Sequence, residues 1–301
     1  MRIAITGATG LIGQTLTDEL RADGHQVVRV TRSRAHAGAD DVVWDPAAGT
    51  IDAARLEGLD GVVHLAGEPI GAARWSEDTK RRIRDSRVQG TDLLARTLAG
   101  LDRPPAVLVS GSAVGYYGDR GDEILTEDAA PGDDFLARVC VAWEAAADPA
   151  RAAGIRVVHP RTGVVIAADG PLIDKIELPF KLGIGGKVGS GRQYVPWISL
   201  TDHVRALRFL LERELAGPVN LTGPEPVTNA ELTRALGEVM HRPTVLPIPT
   251  FAVTALYGEM GRTLASVSQR ARPARLLEAG FTFVHGDLRS ALRAALQRPA
   301  A

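Results

Sequence analysis

The sequence predicts an α/β fold: a doubly wound parallel sheet with a smaller C-terminal lobe. Three observations carry that prediction. Short apolar runs alternate with helical patterns through the first half, the first run turns on glycines straight into a helix, and after about residue 168 the texture becomes glycine-rich and proline-punctuated. With 301 residues, 45% of them hydrophobic, the chain can bury a substantial core in one large domain or two unequal ones.

Residues 1–6 read as a short buried strand that runs into Gly7-Ala8-Thr9-Gly10-Leu11-Ile12-Gly13. Glycine permits positive φ in such a turn and lets the backbone approach a pyrophosphate, while the following helix N-terminus offers free N–H groups and a positive dipole end. The spacing Gly-x-x-Gly-x-x-Gly is looser than the Gly-x-Gly-x-x-Gly fingerprint, so the surrounding unit has to support the reading. It does: Leu11, Ile12, Leu16 and Leu20 give a helix over 11–23 an apolar stripe, Gly24 stops it, and 26–31 reads as the second strand. This is a Rossmann-type β-α-β unit, and it predicts a dinucleotide cradle at Gly7, Thr9, Gly10, Leu11, Ile12 and Gly13. Further strands are expected over 61–66, 105–110 and 155–159, with helices near 76–99 and 134–153. Beyond residue 168, Gly183, Gly185, Gly186, Gly189 and Gly191 mark a loop-rich stretch, followed by helices expected over 201–215, 250–264, 273–279 and 288–296.

An acidic residue ending the second strand would bind the ribose 2′-hydroxyl of NAD, whereas an arginine suits the 2′-phosphate of NADP. Here the segment is Val30-Thr31-Arg32-Ser33-Arg34. Thr31, Arg32 and Ser33 therefore favour NADP(H) over NAD(H), Arg32 through charge-assisted contacts and Ser33 as an added donor. The expected division is an NADP-binding domain over 1–168, to which parts of the later chain can return, and a smaller substrate-binding lobe over 169–301.

Composition narrows the partners. Thirty-five Lys and Arg against 36 Asp and Glu give a formal charge of −1, which offers no general attraction to nucleic acid or an anionic membrane. No apolar run approaches the roughly 18 residues of a spanning helix. Cys140 is the only cysteine, so no intrachain disulfide can form, and residue 1 leads into a strand without the apolar stretch of a signal peptide. A cytoplasmic location is expected. His159, His203 and His285 show no pairing at metal-ligand spacing, and no metal site is expected.

Three more segments join the glycine turn: Val62-Val63-His64-Leu65-Ala66-Gly67-Glu68, Ser110-Gly111-Ser112-Ala113-Val114-Gly115-Tyr116-Tyr117-Gly118 and Arg161-Thr162-Gly163-Val164-Val165. Together they resemble the extended short-chain dehydrogenase/reductase superfamily. Trp143-Glu144, Pro179-Phe180-Lys181-Leu182-Gly183, Gly189-Ser190-Gly191-Arg192-Gln193 and Trp197-Ile198 make the likeness closer to its atypical epimerase family branch. The resemblance spans nearly the whole chain, including a family-specific C-terminal segment of unknown function over about 247–297. It implies that Leu65, Ala66 and Gly67 lie beneath the adenosine-diphosphate half of the cofactor. It places Arg82, Arg87 and Ser110 beside the cofactor, and Arg161 and Val165 along its nicotinamide. The second lobe supplies Lys187, Arg192, Gln193 and Trp197 as polar and aromatic candidates for a small-molecule substrate, and the resemblance makes a homodimer plausible by analogy.

Active members of that superfamily use a Tyr-x-x-x-Lys pair, in which the lysine charge lowers the tyrosine pKa from about 10. Counting back from Glu144, the two positions fall on Leu136 and Cys140. Neither can do that work. Ser112 occupies the slot of the substrate-binding serine and can donate to a carbonyl oxygen, while Tyr116 or Tyr117 can supply a proton to a developing alkoxide or simply shape the pocket wall. Cys140 reads as a buried small hydrophobe. The leading reading is an oxidoreductase acting on a small carbonyl or alcohol without the usual dyad. The alternatives are a non-catalytic NADPH-binding sensor or scaffold and a nucleotide-sugar epimerase.

Overall fold

β-branched runs buried on both faces build the sheet. In the computed structural model, which describes residues 1–32, 37–71 and 73–296, its strands are β1 (Arg2–Thr6), β2 (Gln26–Thr31), β3 (Val42–Asp45), β4 (Thr50–Ile51), β5 (Gly61–His64), β6 (Val107–Ser110) and β7 (Ser112–Ala113). β8 (Ile124–Leu125) lies outside it, and β9 (Arg156–Thr162) and β13 (Gly217–Leu221) complete it. The order is β13-β9-β6-β5-β1-β2-β3-β4 with β7 beside β9, parallel throughout except for the β3/β4 pair. The chain starts mid-sheet at β1, moves outward through β2 and β3, then returns to the other side at β5. That reversal opens a crevice at the carboxyl ends of β1 and β5, where open α/β sheets hold ligands.

Helices cover both faces. On one, α1 (Leu11–Ala22) and α6 (Leu200–Glu212) pack Leu16, Leu20, Leu207 and Leu210 against Ile3, Ile5, Val63 and Val158. On the other, α2 (Glu77–Ala99) and α4 (Asp148–Ala152) pack Leu94, Leu98 and Ala150 against Ala4, Val28, Val62 and Leu108. Each large aliphatic so buried contributes about 1.5–3 kcal/mol. The helix expected over 134–153 is two: α3 (Phe135–Ala145) ends before α4 because Pro149 has no N–H to continue the ladder and fits only a first turn.

The second lobe collects α5 (Pro171–Lys181), α7 (Asn229–Met240) and α10 (Leu288–Leu296) around Ile173, Phe180, Trp197, Leu232 and Leu292. Three small ribbons stitch it: β10 (Val164–Ile166) beside β12 (Trp197–Ser199), β11 (Tyr194–Val195) beside β14 (Val227–Thr228), and β15 (Arg270–Ala271) beside β8. α8 (Thr250–Ser266) and α9 (Ala274–Glu278) follow. The chain past residue 168 is interleaved with the sheet domain, since α6 lies in the sheet core and β13 pairs with β9. Among the described residues no helix is long and apolar enough to cross a membrane.

Candidate active site

The glycine turn has the geometry of an anion cradle. Gly7 sits at φ 69°, and a Cβ there would lie 3.0 Å from the Leu65 carbonyl carbon; a Cβ at Gly13 would collide with the Gly7 carbonyl. Only glycine lets β1, the turn and the start of α1 press this closely onto the end of β5. Gly10 N-caps α1 in extended conformation, and no described side chain caps the helix, so its first N–H groups around Leu11 and Ile12 have no partner among the described residues. Thr6, which the sequence reading passed over, fixes the opposite wall. Its hydroxyl accepts from the N–H groups of Leu65 (3.0 Å) and Ala66 (3.1 Å) and therefore gives its proton to His64 Nδ1 at 2.7 Å. A lone hydroxyl ending a buried apolar strand was the available signal.

Arg32 stands exposed at the end of β2, and Ser33 lies outside the described residues. The turn at 38–41 is held by Asp41, buried, which accepts from Arg29 and from the Gly38 N–H at 2.7 Å. Burial works against the Asp41 charge, yet these hydrogen bonds outweigh it and hold the carboxyl below its ordinary range. Arg82 is exposed and paired with Asp78. Arg87 differs: it runs inward past Gly67, donates Nη1 to the carbonyls of Glu68 and Ile83, both at 3.0 Å, and lies 5.0 Å over the Trp143 ring. Burial lowers its pKa, opposed by Cys140 and Glu68. Among the described residues no carboxylate comes within 4.0 Å of it. A half-buried cation with no described carboxylate in ion-pair contact, beside the glycine turn, suits an anionic ligand.

The residues singled out for chemistry are drawn into one buried network. Arg161, only 3% exposed, grips Glu144 with Nε at 2.8 Å and Nη2 at 3.0 Å, while Nη1 reaches the Tyr117 hydroxyl at 3.1 Å. Burial opposes the Arg161 charge, but Glu144 and Tyr117 more than compensate and raise its pKa. Tyr117 in turn donates to Asn220 Oδ1 at 2.7 Å and is fully buried, with its pKa pushed up to about 12 by that burial. Tyr117 therefore departs from the expected acid and acts as a core strut. Ser112 also departs from expectation. Its Oγ lies 2.7 Å from Glu144 Oε1, and a carboxylate held by arginine has no proton to give, so Ser112 must donate inward and offers any ligand only lone pairs. Tyr116 is the exception: its ring lies 3.4 Å from the Arg161 guanidinium carbon, and no described residue hydrogen-bonds its hydroxyl.

Leu136 and Cys140 face Gly115, whose added Cβ would sit 3.4 Å from Leu136 Cβ and 3.8 Å from the Cys140 sulfur, so the loop carrying Tyr116 packs on the dyad face of α3. Burial pushes the Cys140 thiol up to about 12, which removes it as a nucleophile. Ser110 is fully buried, its Oγ without a partner among the described residues, and Val165 pairs with Ile198 in the β10/β12 ribbon. In the second lobe, Trp197 is core, 1% exposed, with Nε1 on the Glu225 carbonyl at 3.0 Å, and Gln193 spends its amide on the Val188 and Ala265 carbonyls. Lys187 and Arg192 remain exposed, Arg192 on the rim of a cavity of about 440 Å³ shared with Ser190, Thr250 and Ser266.

Comparison with known proteins places this geometry. Residues 3–222 match the NAD dependent epimerase/dehydratase family, and 248–295 match a domain of unknown function, DUF1731. An epimerase family protein of Mycobacterium bovis is 46% identical over 99% of this chain and 98% of its own length, and one of Bacillus subtilis is 36% identical over 97% of each. The crystal structure of human epimerase family protein SDR39U1 with NADPH superposes with a TM-score of 0.88 at 33% identity, covering 98% of this chain and 99% of that one. The chain belongs to the NAD dependent epimerase/dehydratase family.

Proposed function

We propose that this protein binds NADP(H) across the β1/β5 crevice and acts as an oxidoreductase on a small carbonyl or alcohol, with Tyr116 exchanging the substrate proton. The observation that carries the cofactor assignment is the uncapped α1 N-terminus behind a turn that only glycines can make. The NADPH held by the human relative supports it. In this reading residues 7–13 and 65–67 embrace the pyrophosphate and adenosine, Arg32 meets the 2′-phosphate and Arg87 supplies a half-buried positive charge. When bound, the nicotinamide gives or takes a hydride. Tyr116, whose hydroxyl no described residue hydrogen-bonds, donates to an oxygen that gains negative charge, and Ser112, its own proton held by Glu144, accepts from a ligand hydroxyl.

A second reading, a non-catalytic NADPH sensor or scaffold, is favoured by Leu136 and Cys140 in the dyad positions. Calorimetry with NADPH and NADH tests the cofactor: NADPH should bind at least about tenfold tighter, and Arg32→Ala should erase the difference. Equal affinities in both proteins would refute the 2′-phosphate assignment. Following NADPH absorbance over a panel of aldehydes and ketones separates the readings. Turnover that Tyr116→Phe lowers by about 10²-fold or more supports Tyr116 as the proton donor; no turnover with any of them leaves the sensor. Conversion of a nucleotide sugar without net NADPH change would instead support epimerisation.

A further inference from the structure

Residues 248–295 have no part in that reading, and their longest helix is broken in an informative place. Gly258, inside α8, has φ 67° and ψ −147°, a conformation open to glycine alone. A break strips the preceding turn's carbonyls of their N–H partners. Here they are capped from across the molecule: Arg74 donates Nη2 to the carbonyls of Ala255 and Leu256, and Nε to Leu256 at 3.2 Å. A guanidinium at a helix's carbonyl end gains both hydrogen bonds and a favourable dipole interaction.

Arg74 belongs to the stretch joining β5 to α2, which begins with Leu65, Ala66 and Gly67. Two more contacts fasten the same place. Lys80 in α2 pairs with Glu259, just past the break, at 2.8 Å, and Lys175 of α5 reaches the Gly71 carbonyl at 3.4 Å while lying 5.6 Å from the Tyr257 ring. Trp75 packs edge-on against Phe135 at the start of α3, with Lys80 5.6 Å from the Phe135 ring. α2 follows β5 through that stretch, so the break in α8 is moored to the segment that leaves the crevice.

We infer that α8 is the outer wall of the ligand cleft and that Arg74 is the positioning residue coupling it to the cofactor. A dinucleotide seated on 65–67 fixes the strand end from which Arg74 is reached, and Arg74 holds α8 down, which slows release of the cofactor. This rests on the cofactor reading above.

Hydrogen–deuterium exchange on the full chain with and without NADPH, paired with stopped-flow NADPH release, tests it. In the wild type, exchange should slow at 7–13 and at 250–261 together. Arg74→Gln should keep the first effect, lose the second and speed release by at least about 5-fold, the low end of ordinary coupling between sites; Lys80→Met should act in the same direction. Protection confined to 7–13 in the wild type, or unchanged release from Arg74→Gln, overturns the coupling and leaves the cofactor assignment intact. Absence of protection at both segments removes the cofactor assignment and the inference with it.

Discussion

Two adjacent tyrosines show how little residue type alone decides. Tyr117 has its hydroxyl bonded to Arg161 and Asn220, whereas Tyr116 turns the same group away from any described partner. Removing a buried, doubly bonded hydroxyl strands both partners, so Tyr117→Phe should cost about 2 kcal/mol in urea unfolding, and Tyr116→Phe should cost little. Comparable losses in both variants would contradict this division of labour. Gly13 makes a sharper case at the cradle. A Cβ there meets the Gly7 carbonyl, so Gly13→Ala must push α1 off the end of β1, and NADPH affinity should fall by about 10²-fold or more while the fold, read by circular dichroism, persists. The strand–glycine–helix turn was legible in the sequence because its signal is local. The network of Ser112, Glu144, Arg161 and Tyr117 was not, since its members meet only when β7, β9, α3 and the loop after β7 converge.

Among the elements, the strands of the first unit were legible because buried parallel strands are unbroken apolar runs bounded by glycine. β13 was hidden by its own contents, Gly217-Pro218-Val219-Asn220-Leu221. Pro218 tolerates an outer position, where one side of the strand needs no ladder, and Asn220 is buried only because Tyr117, Glu127 and the Arg272 carbonyl satisfy it. α5 was masked by Pro171 and Pro179, the first seated harmlessly in the opening turn. α7 carried a readable start, the capping box of Thr228 and Glu231, that was passed over. α6 shows how the later chain is tied back: Asp202, 1% exposed in its first turn, accepts from Ser199, from Arg205 and from the N–H groups of Val284 (2.7 Å) and His285 (2.9 Å). Asp202→Ala should therefore destabilise the protein by about 3 kcal/mol and free residues 282–287 to limited proteolysis. Wild-type resistance in that variant would show the segment to be held by its apolar contacts alone.

At the scale of the whole molecule, three buried imidazoles make stability depend on pH. His64, His159 and His203 all have pKa values lowered to about 4, first by burial, with Arg87 adding to the effect at His64 and Glu144 opposing it at His159. Their partners agree. The Thr6 hydroxyl has given its proton to His64, and Arg151, which can only donate, faces His159 Nε2 at 3.0 Å. Unfolding releases each ring to an ordinary pKa near 6.5, so between about 6.5 and 4 the unfolded chain binds more protons than the native one. Stability is then fully present above about pH 6.5 and is lost as pH falls through that window toward 4. Glu127 opposes the trend: burial raises its pKa, so its contribution is favourable at low pH and is lost as pH rises through the folded value. Three histidines against one carboxyl leave a net loss on the acid side. Urea unfolding measured from pH 8 to pH 4 should give a plateau followed by a steep decline, and Glu127→Gln should leave that decline in place while removing the opposing term. His203→Phe, a replacement that cannot take up a proton, should shallow the decline; a wild-type profile flat from pH 7 to 4 would mean the three rings are not buried as neutral groups.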